Sequence, residues 1–162
     1  MNFSQTPIDG LFIIKPFLHE DSRGVFHRSF CQDELEGIGI HFEAKQGNIS
    51  INPYKHTLRG FHYQVQPTKE SKILHCITGA IYNVVLDLRK DSKSYKKWQT
   101  IEISSENKIG LHVPHGCANA FLTLREDSIV HYYMGDSFNP KTYRGIRFND
   151  PAFDFKWPFA PA

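Results

Sequence analysis

Three side chains of this sequence could move a proton beside a carbonyl group: His62, Tyr132 and Lys72. An imidazole with an ordinary pKa of about 6.5 can accept a proton at neutral pH. A phenol can return one from the opposite side of a substrate, and Tyr132 and Tyr133 both lie in a late apolar run, Ser128 to Met134. A lysine held near a carbonyl oxygen stabilises a developing enolate, and Lys72 opens the run leading to Gly79. Together they make a base, an acid and an oxyanion stabiliser. Each also has an ordinary structural reading: His62 as a satisfied strand residue, Lys72 as a solvated charge at a strand end, Tyr132 as a core aromatic with its hydroxyl at the edge. Composition and spacing leave both readings open.

These residues must be positioned by short strands. Leu58 to Val65 reads as one, because Phe61 and Tyr63 are spaced two apart and Pro67 closes the run. Strict alternation along it puts Arg59 and His62 on opposite faces; Gly60 is where a bulge or twist can re-aim one of them. Lys72 to Thr78 and Ala80 to Leu88 read as two strands hinged on Gly79. Trp98 to Ile103, Ile109 to Val113, Ala118 to Leu124 and Ser128 to Met134 follow, with a tight corner at Pro114-His115-Gly116. Upstream, Leu11 to Ile14 with Phe17, Val25 to Phe30 and Phe42 to Ile51 complete the set. Asp21-Ser22-Arg23-Gly24 is turn chemistry, and Gln32 to Leu35 has room for one helical turn. Gln46, Asn48 and Ser50 share one alternating face, which implies either solvent or a wet pocket. Phe138 to Pro161 reads as packed irregular coil. Many short strands with almost no helical period predict an all-β fold, a closed sandwich or barrel. The glycine hinge and the Pro-x-Gly corner fit a jelly roll, one domain over residues 1–162.

At 162 residues, 40% hydrophobic and 22% charged, the chain can bury a sizeable core. A net charge of +2 is too slight to argue for nucleic acid or an anionic membrane, and neither is expected as partner. No apolar run approaches a membrane span, and Met1 to Gly10 lacks the pattern of a signal peptide. Cys31, Cys76 and Cys117 are an odd count without paired spacing, hence read as reduced thiols of a soluble, cytoplasmic protein. A metal site needs three or four converging donors. Gln64, not a second histidine, stands two residues after His62, and Asn119 stands where a ligand would follow the Pro-x-Gly corner. His75, His112, His115 and His131 form no ligand spacing with His62, so no metal is expected.

Taken in order, Asp21-Ser22-Arg23-Gly24, Gln46-x-Asn48-x-Ser50, Leu58-Arg59-Gly60-Phe61-His62, Lys72, Gly79, Val84 to Arg89, Pro114-x-Gly116, Tyr132, Asn149-Asp150-Pro151 and Trp157-Pro158 resemble the dTDP-4-dehydrorhamnose 3,5-epimerase family. The resemblance implies a cupin-type double-stranded β-helix, a homodimer without metal or other cofactor, and a nucleotide-linked 4-keto-6-deoxy sugar as substrate. It implies that His62 removes a proton beside the ketone, that Tyr132 protonates the other face and that Lys72 holds the enolate oxygen. Arg23 and Arg59 would bind the diphosphate, with Gln46, Asn48, Phe26, Arg28 and Asn119 also at the substrate. The chain departs from the family pattern at Asn119 (usually histidine), Phe138 (commonly tyrosine) and Arg28 (a glutamate). The family aspartate that orients the base lies beyond the Trp-Pro pair, and this chain ends at Ala162. Two readings follow: an epimerase acting at carbon 3, carbon 5 or both, or a non-catalytic member that binds a sugar nucleotide.

Overall fold

In the computed structural model, which describes residues 1–162, the chain runs β1 (Asn2–Gln5), β2 (Phe12–Lys15), β3 (Leu18–Asp21), β4 (Gly24–His27), α1 (Gln32–Glu36), β5 (Gln46–Asn52), β6 (Leu58–Gln64), β7 (Lys72–Thr78), β8 (Ala80–Asp87), β9 (Trp98–Ser104), β10 (Gly110–Val113), β11 (Cys117–Thr123), β12 (Ser128–Met134) and β13 (Tyr143–Gly145). They form a six-stranded sheet ordered β1-β2-β10-β7-β12-β5 and a five-stranded sheet ordered β13-β6-β11-β8-β9, with β3-β4 a separate hairpin. All the pairings are antiparallel. This is the expected jelly roll.

Alternation explains the layering. Leu74, Cys76, Leu111, Val113 and Val130 of the larger sheet meet Ile81, Val85, Ile101, Ile103, Cys117 and Phe121 of the smaller in one apolar cluster. Full burial of each such aliphatic side chain contributes about 1.5–3 kcal/mol. The smaller sheet's outer residues Phe61, Val84, Leu86, Ala118 and Ala120 are covered by the C-terminal segment through Phe153, Phe155 and Trp157. Phe155 stacks on Phe61 with ring centroids 4.4 Å apart, and Trp157 Nε1 donates to the Phe148 carbonyl at 2.9 Å. The Trp-Pro tail is thus a lid on the sheet that carries His62.

Several boundaries differ from the sequence reading. Asn2–Gln5 forms a strand because β2 offers it an edge, pairing Phe3 with Ile14. Leu18–Asp21, unassigned from sequence, pairs with Gly24–His27, whose strand stops at His27 rather than Phe30. The strand expected from Phe42 starts at Gln46, since Phe42 is instead buried with Leu35 and Ile73 under α1. The C-terminal coil carries β13, three residues recruited by the edge of β6. No helix is long and apolar enough to cross a membrane, and Cys31, Cys76 and Cys117 are free thiols.

Candidate active site

A cleft of about 840 Å³ lies between β5, β7 and β12 on one side and β6, β11 and β13 on the other. The alternating face of β5 supplies one wall. Gln46, Asn48 and Ser50, the less exposed residues of that alternation, line the cleft, so the wet-pocket reading of that face holds. Gln46 Nε2 donates to Asn48 Oδ1 at 3.0 Å, and Asn48 Nδ2 reaches Met134 Sδ at 3.2 Å.

The facing wall depends on an irregularity in β6. His62 pairs with Asn119 and Arg59 with Phe121, so three steps on β6 match two on β11. The extra residue is a β-bulge, and it turns Arg59 and His62 toward the same cleft. Gly60 makes it possible: its φ is +106°, and an added Cβ would lie 2.5 Å from the Asn119 carbonyl oxygen. Arg59 is then held by Nε donating to Asn52 Oδ1 at 2.7 Å.

Three chemical groups converge there. The His62 ring is open to the cleft and packs against Tyr143, ring centroids 5.4 Å apart. Lost hydration pushes the His62 pKa below its ordinary value, aided by the charges of Lys72 and Arg59 and opposed by Glu70. Lys72, nearly buried, ion-pairs with Glu70 Oε1 at 2.6 Å and donates weakly to the His62 carbonyl at 3.5 Å. Tyr132 faces the cleft while Tyr133, one step along β12, turns outward against Phe30 with centroids 5.3 Å apart. Burial raises the Tyr132 pKa, with further increases from Glu70 and Tyr143 and opposition from Arg59. The resulting pair is a base kept neutral and an acid kept protonated at physiological pH.

The remaining residues divide. Asn119 lines the cleft and accepts a hydrogen bond from Asn83 Nδ2 at 2.9 Å. Phe138 lines it too, its backbone N–H donating to Gln46 Oε1 at 3.2 Å. Arg23, Phe26 and Arg28 do not reach the cleft of their own chain. Arg23 is 88% exposed and pairs with Asp21 at 2.6 Å; Phe26 is 73% exposed; Arg28 pairs with Glu34 at 2.5 Å. Sequence reasoning missed Glu70, Tyr143 and Met134 as cleft residues. Glu70 had a signal, since it stands two residues before Lys72, the same-face spacing of extended chain. Tyr143 had none, because β13 arrives by tertiary pairing. His75 and His131 are neighbours across β7 and β12, and His112 Nδ1 donates to the Gly10 carbonyl at 2.8 Å. No three His, Cys, Asp or Glu side chains are grouped to hold a metal ion.

An imidazole, an ammonium and a phenol line one cleft of this jelly roll, the group types that an isomerase working by proton transfer beside a carbonyl needs. Comparison with known proteins gives this class its family. The model of the dTDP-4-dehydrorhamnose 3,5-epimerase family matches residues 5–162. The chain is 34% identical over 159 residues to a Shigella flexneri dTDP-4-dehydrorhamnose 3,5-epimerase, covering 98% of this chain and 87% of that protein. A Bacillus anthracis dTDP-4-dehydrorhamnose 3,5-epimerase solved with TDP and PPi bound superimposes with a TM-score of 0.95 at 33% identity, covering 99% of this chain and 92% of that one. A Legionella pneumophila dTDP-6-deoxy-D-glucose-3,5-epimerase in complex with dTDP-4-keto-L-rhamnose gives 0.92 at 33% identity, over 98% of this chain and 84% of that one. The chain belongs to the dTDP-4-dehydrorhamnose 3,5-epimerase family, and it is a carbohydrate epimerase with a cupin-type fold.

Proposed function

We propose that this protein inverts a carbon beside the ketone of a nucleoside-diphosphate-linked 4-keto-6-deoxy sugar, and that its own side chains carry the reaction. His62 removes the α-proton, and the electron pair moves onto the ketone oxygen. Lys72 donates to that oxygen as the enolate forms, where a preplaced donor acts on developing charge. Tyr132 then delivers a proton to the opposite face, and the His62 imidazolium and Tyr132 phenolate reset by exchange with solvent. Arg59 is assigned to the diphosphate, since a guanidinium fork suits phosphate oxygens. Gln46, Asn48 and Asn119 are assigned to polar groups of the substrate. The observation that carries this reading is that His62, Lys72 and Tyr132, from three different strands, line one cleft.

The assignment of Arg23, Phe26 and Arg28 to the substrate requires a second copy. Their hairpin exposes Leu18, Val25 and Phe26, and the edge strand β5 exposes Ile49 and Ile51 beside the cleft at 67% and 66%. Apolar surface of this kind on an arm and on a sheet edge supports a homodimer in which each hairpin reaches the partner's cleft. The three free cysteines suit a cytoplasmic enzyme.

The test is hydrogen exchange. Purified protein is incubated in heavy water with a dTDP-linked 4-keto-6-deoxy sugar, and product mass and stereochemistry are read. Incorporation with inversion supports the proposal; tight binding with no incorporation would identify a non-catalytic sugar-nucleotide binder instead.

A further inference from the structure

Glu70 is the one carboxylate that lines the cleft, and it is buried, with 8% of its surface exposed. Its two oxygens are divided between two partners: Oε1 takes the Lys72 ammonium at 2.6 Å, and Oε2 takes the Gln64 side-chain amide. Gln64 is fixed in turn, because its Oε1 accepts from the Asn139 N–H at 2.7 Å and the Thr142 hydroxyl at 3.1 Å. A chain of bonds therefore runs from the loop before β13 through Gln64 and Glu70 to Lys72.

We propose that Glu70 is the positioning residue of this site: it aims the Lys72 ammonium into the cleft and supplies the negative charge that balances Lys72 and Arg59 around His62. The assignment rests on the epimerase reading above for its role in catalysis. A lysine stem has four rotatable bonds, and a catalytic donor must be held close to its productive place before charge develops. With one N–H clamped on Glu70 and a second donated weakly to the His62 carbonyl, the third is left for the enolate oxygen. The electrostatic side rests on the groups that face His62: Lys72 from β7, Arg59 from its own strand, Glu70 from the segment before β7, and Tyr132 and Tyr143 from β12 and β13. Glu70 raises the proton affinity of His62, Tyr132 and Tyr143 together, whereas Lys72 and Arg59 lower that of His62.

Glu70→Gln keeps the side chain's size and removes its charge. With the dTDP-linked 4-keto sugar, kcat is expected to fall about 10²-fold, as for a displaced catalytic group, with KM changed much less. Both limbs of the pH–rate profile should move to lower pH, because base and acid lose the same nearby charge. Glu70→Asp, which keeps the charge on a shorter stem, should hold the limbs in place while kcat stays low. The His62 imidazole titration, followed by NMR in ligand-free protein, reads the charge effect without turnover. An inactive wild-type enzyme would thus remove the reaction reading yet leave the Glu70 result standing. An unmoved His62 midpoint and unchanged limbs in Glu70→Gln would overturn the proposal, including the case where kcat and thermal stability merely fall together.

Discussion

Arg59 and His62 stand three residues apart on β6, yet both side chains enter the same cleft. A regular strand forbids this, since residues at odd spacing face opposite sides. The bulge opposite Asn119 and Phe121 removes the conflict, and Gly60 is the residue that pays for it in conformation, with φ at +106°. Gly60→Ala is therefore expected to lower thermal stability and abolish exchange together. The added methyl meets the Asn119 carbonyl oxygen at 2.5 Å and the Ala120 Cα at 2.7 Å. Overpacking of this kind costs about 1–3 kcal/mol, before the strain of a positive φ. A Gly60→Ala protein with wild-type melting and exchange would show that the bulge does not position the site.

His62→Ala and His62→Asn should lose about 10²–10⁴ in exchange rate, the usual range for a general base. The melting temperature should stay near wild type, because the ring lies in the cleft rather than in either sheet interior. Exchange near the wild-type rate in either variant would remove His62 from the mechanism.

The pH profile follows from two displaced proton affinities. His62 sits below its ordinary 6.5 because of lost hydration first and then Lys72, so it remains a free base at pH values where an ordinary histidine is protonated. Tyr132 sits above 10 because of burial first and then Glu70, so it keeps its proton further into alkali. The expected profile of kcat/KM is a plateau whose acid limb falls below 6.5 and whose alkaline limb falls above 10. Fold stability limits the acid side. Burial pushes His75 and His112 down to about 4, so on acidification the unfolded chain takes up protons first and stability drains away between 6.5 and 4. Rates and melting must therefore be measured in the same buffers; an acid limb above 6.5 in folded protein contradicts a desolvated base.

How much of this was legible in the sequence depended on the range of the interaction. Ser128–Met134 and Lys72–Thr78 have the bounds that their β-branched and aromatic runs suggest, because local pattern and burial agree there. The polar face of β5 was legible as a face, since Gln46, Asn48 and Ser50 alternate, but the pattern left solvent and pocket both open, because the apolar Ile49 and Ile51 between them are themselves exposed. The first and last strands were not, because β1 and β13 form only where β2 and β6 present open edges. The bulge was foreseeable at Gly60 as a possibility, but its direction required the register against β11. Glu70 carried the right spacing from Lys72, yet nothing local marked it as buried.

Arg59 and Arg23 are expected to act on the diphosphate from different copies of the chain. Arg59→Gln should weaken binding of dTDP by about tenfold, the loss of roughly 1.4 kcal/mol from a charge-assisted contact. Arg23→Gln should do the same only if the hairpin crosses between protomers. Mixing Arg23→Gln with His62→Ala separates the cases. At substrate well below saturation, crossed hairpins give mixed dimers with one site that is intact in both residues, so exchange rises above that of Arg23→Gln alone; exchange that does not rise after subunit mixing places Arg23 outside the partner's cleft.

The number of carbons inverted is the most specific expectation. Inversion needs a base on one face and an acid on the other, and the cleft offers two phenols, Tyr132 and Tyr143. Tyr143 packs against the His62 ring itself, so it stands on the side of the base, where a returned proton restores the original centre. Phe138, 5.5 Å from Tyr143 between ring centroids, lines the cleft with no hydroxyl to give. That leaves Tyr132 as the single acid opposite His62. A second inversion would have to wait until this pair has reset with the enzyme-bound sugar turned to present its other carbon, so inversion at one carbon is the expected product. In heavy water this appears as one inverted, deuterated centre; two inverted centres with two deuterons would overturn it. Tyr132→Phe should keep proton removal, seen as deuterium washing into recovered substrate, while losing inversion by about 10²–10⁴-fold. Inversion at the wild-type rate in that variant would mean that another group, or water, protonates the enolate.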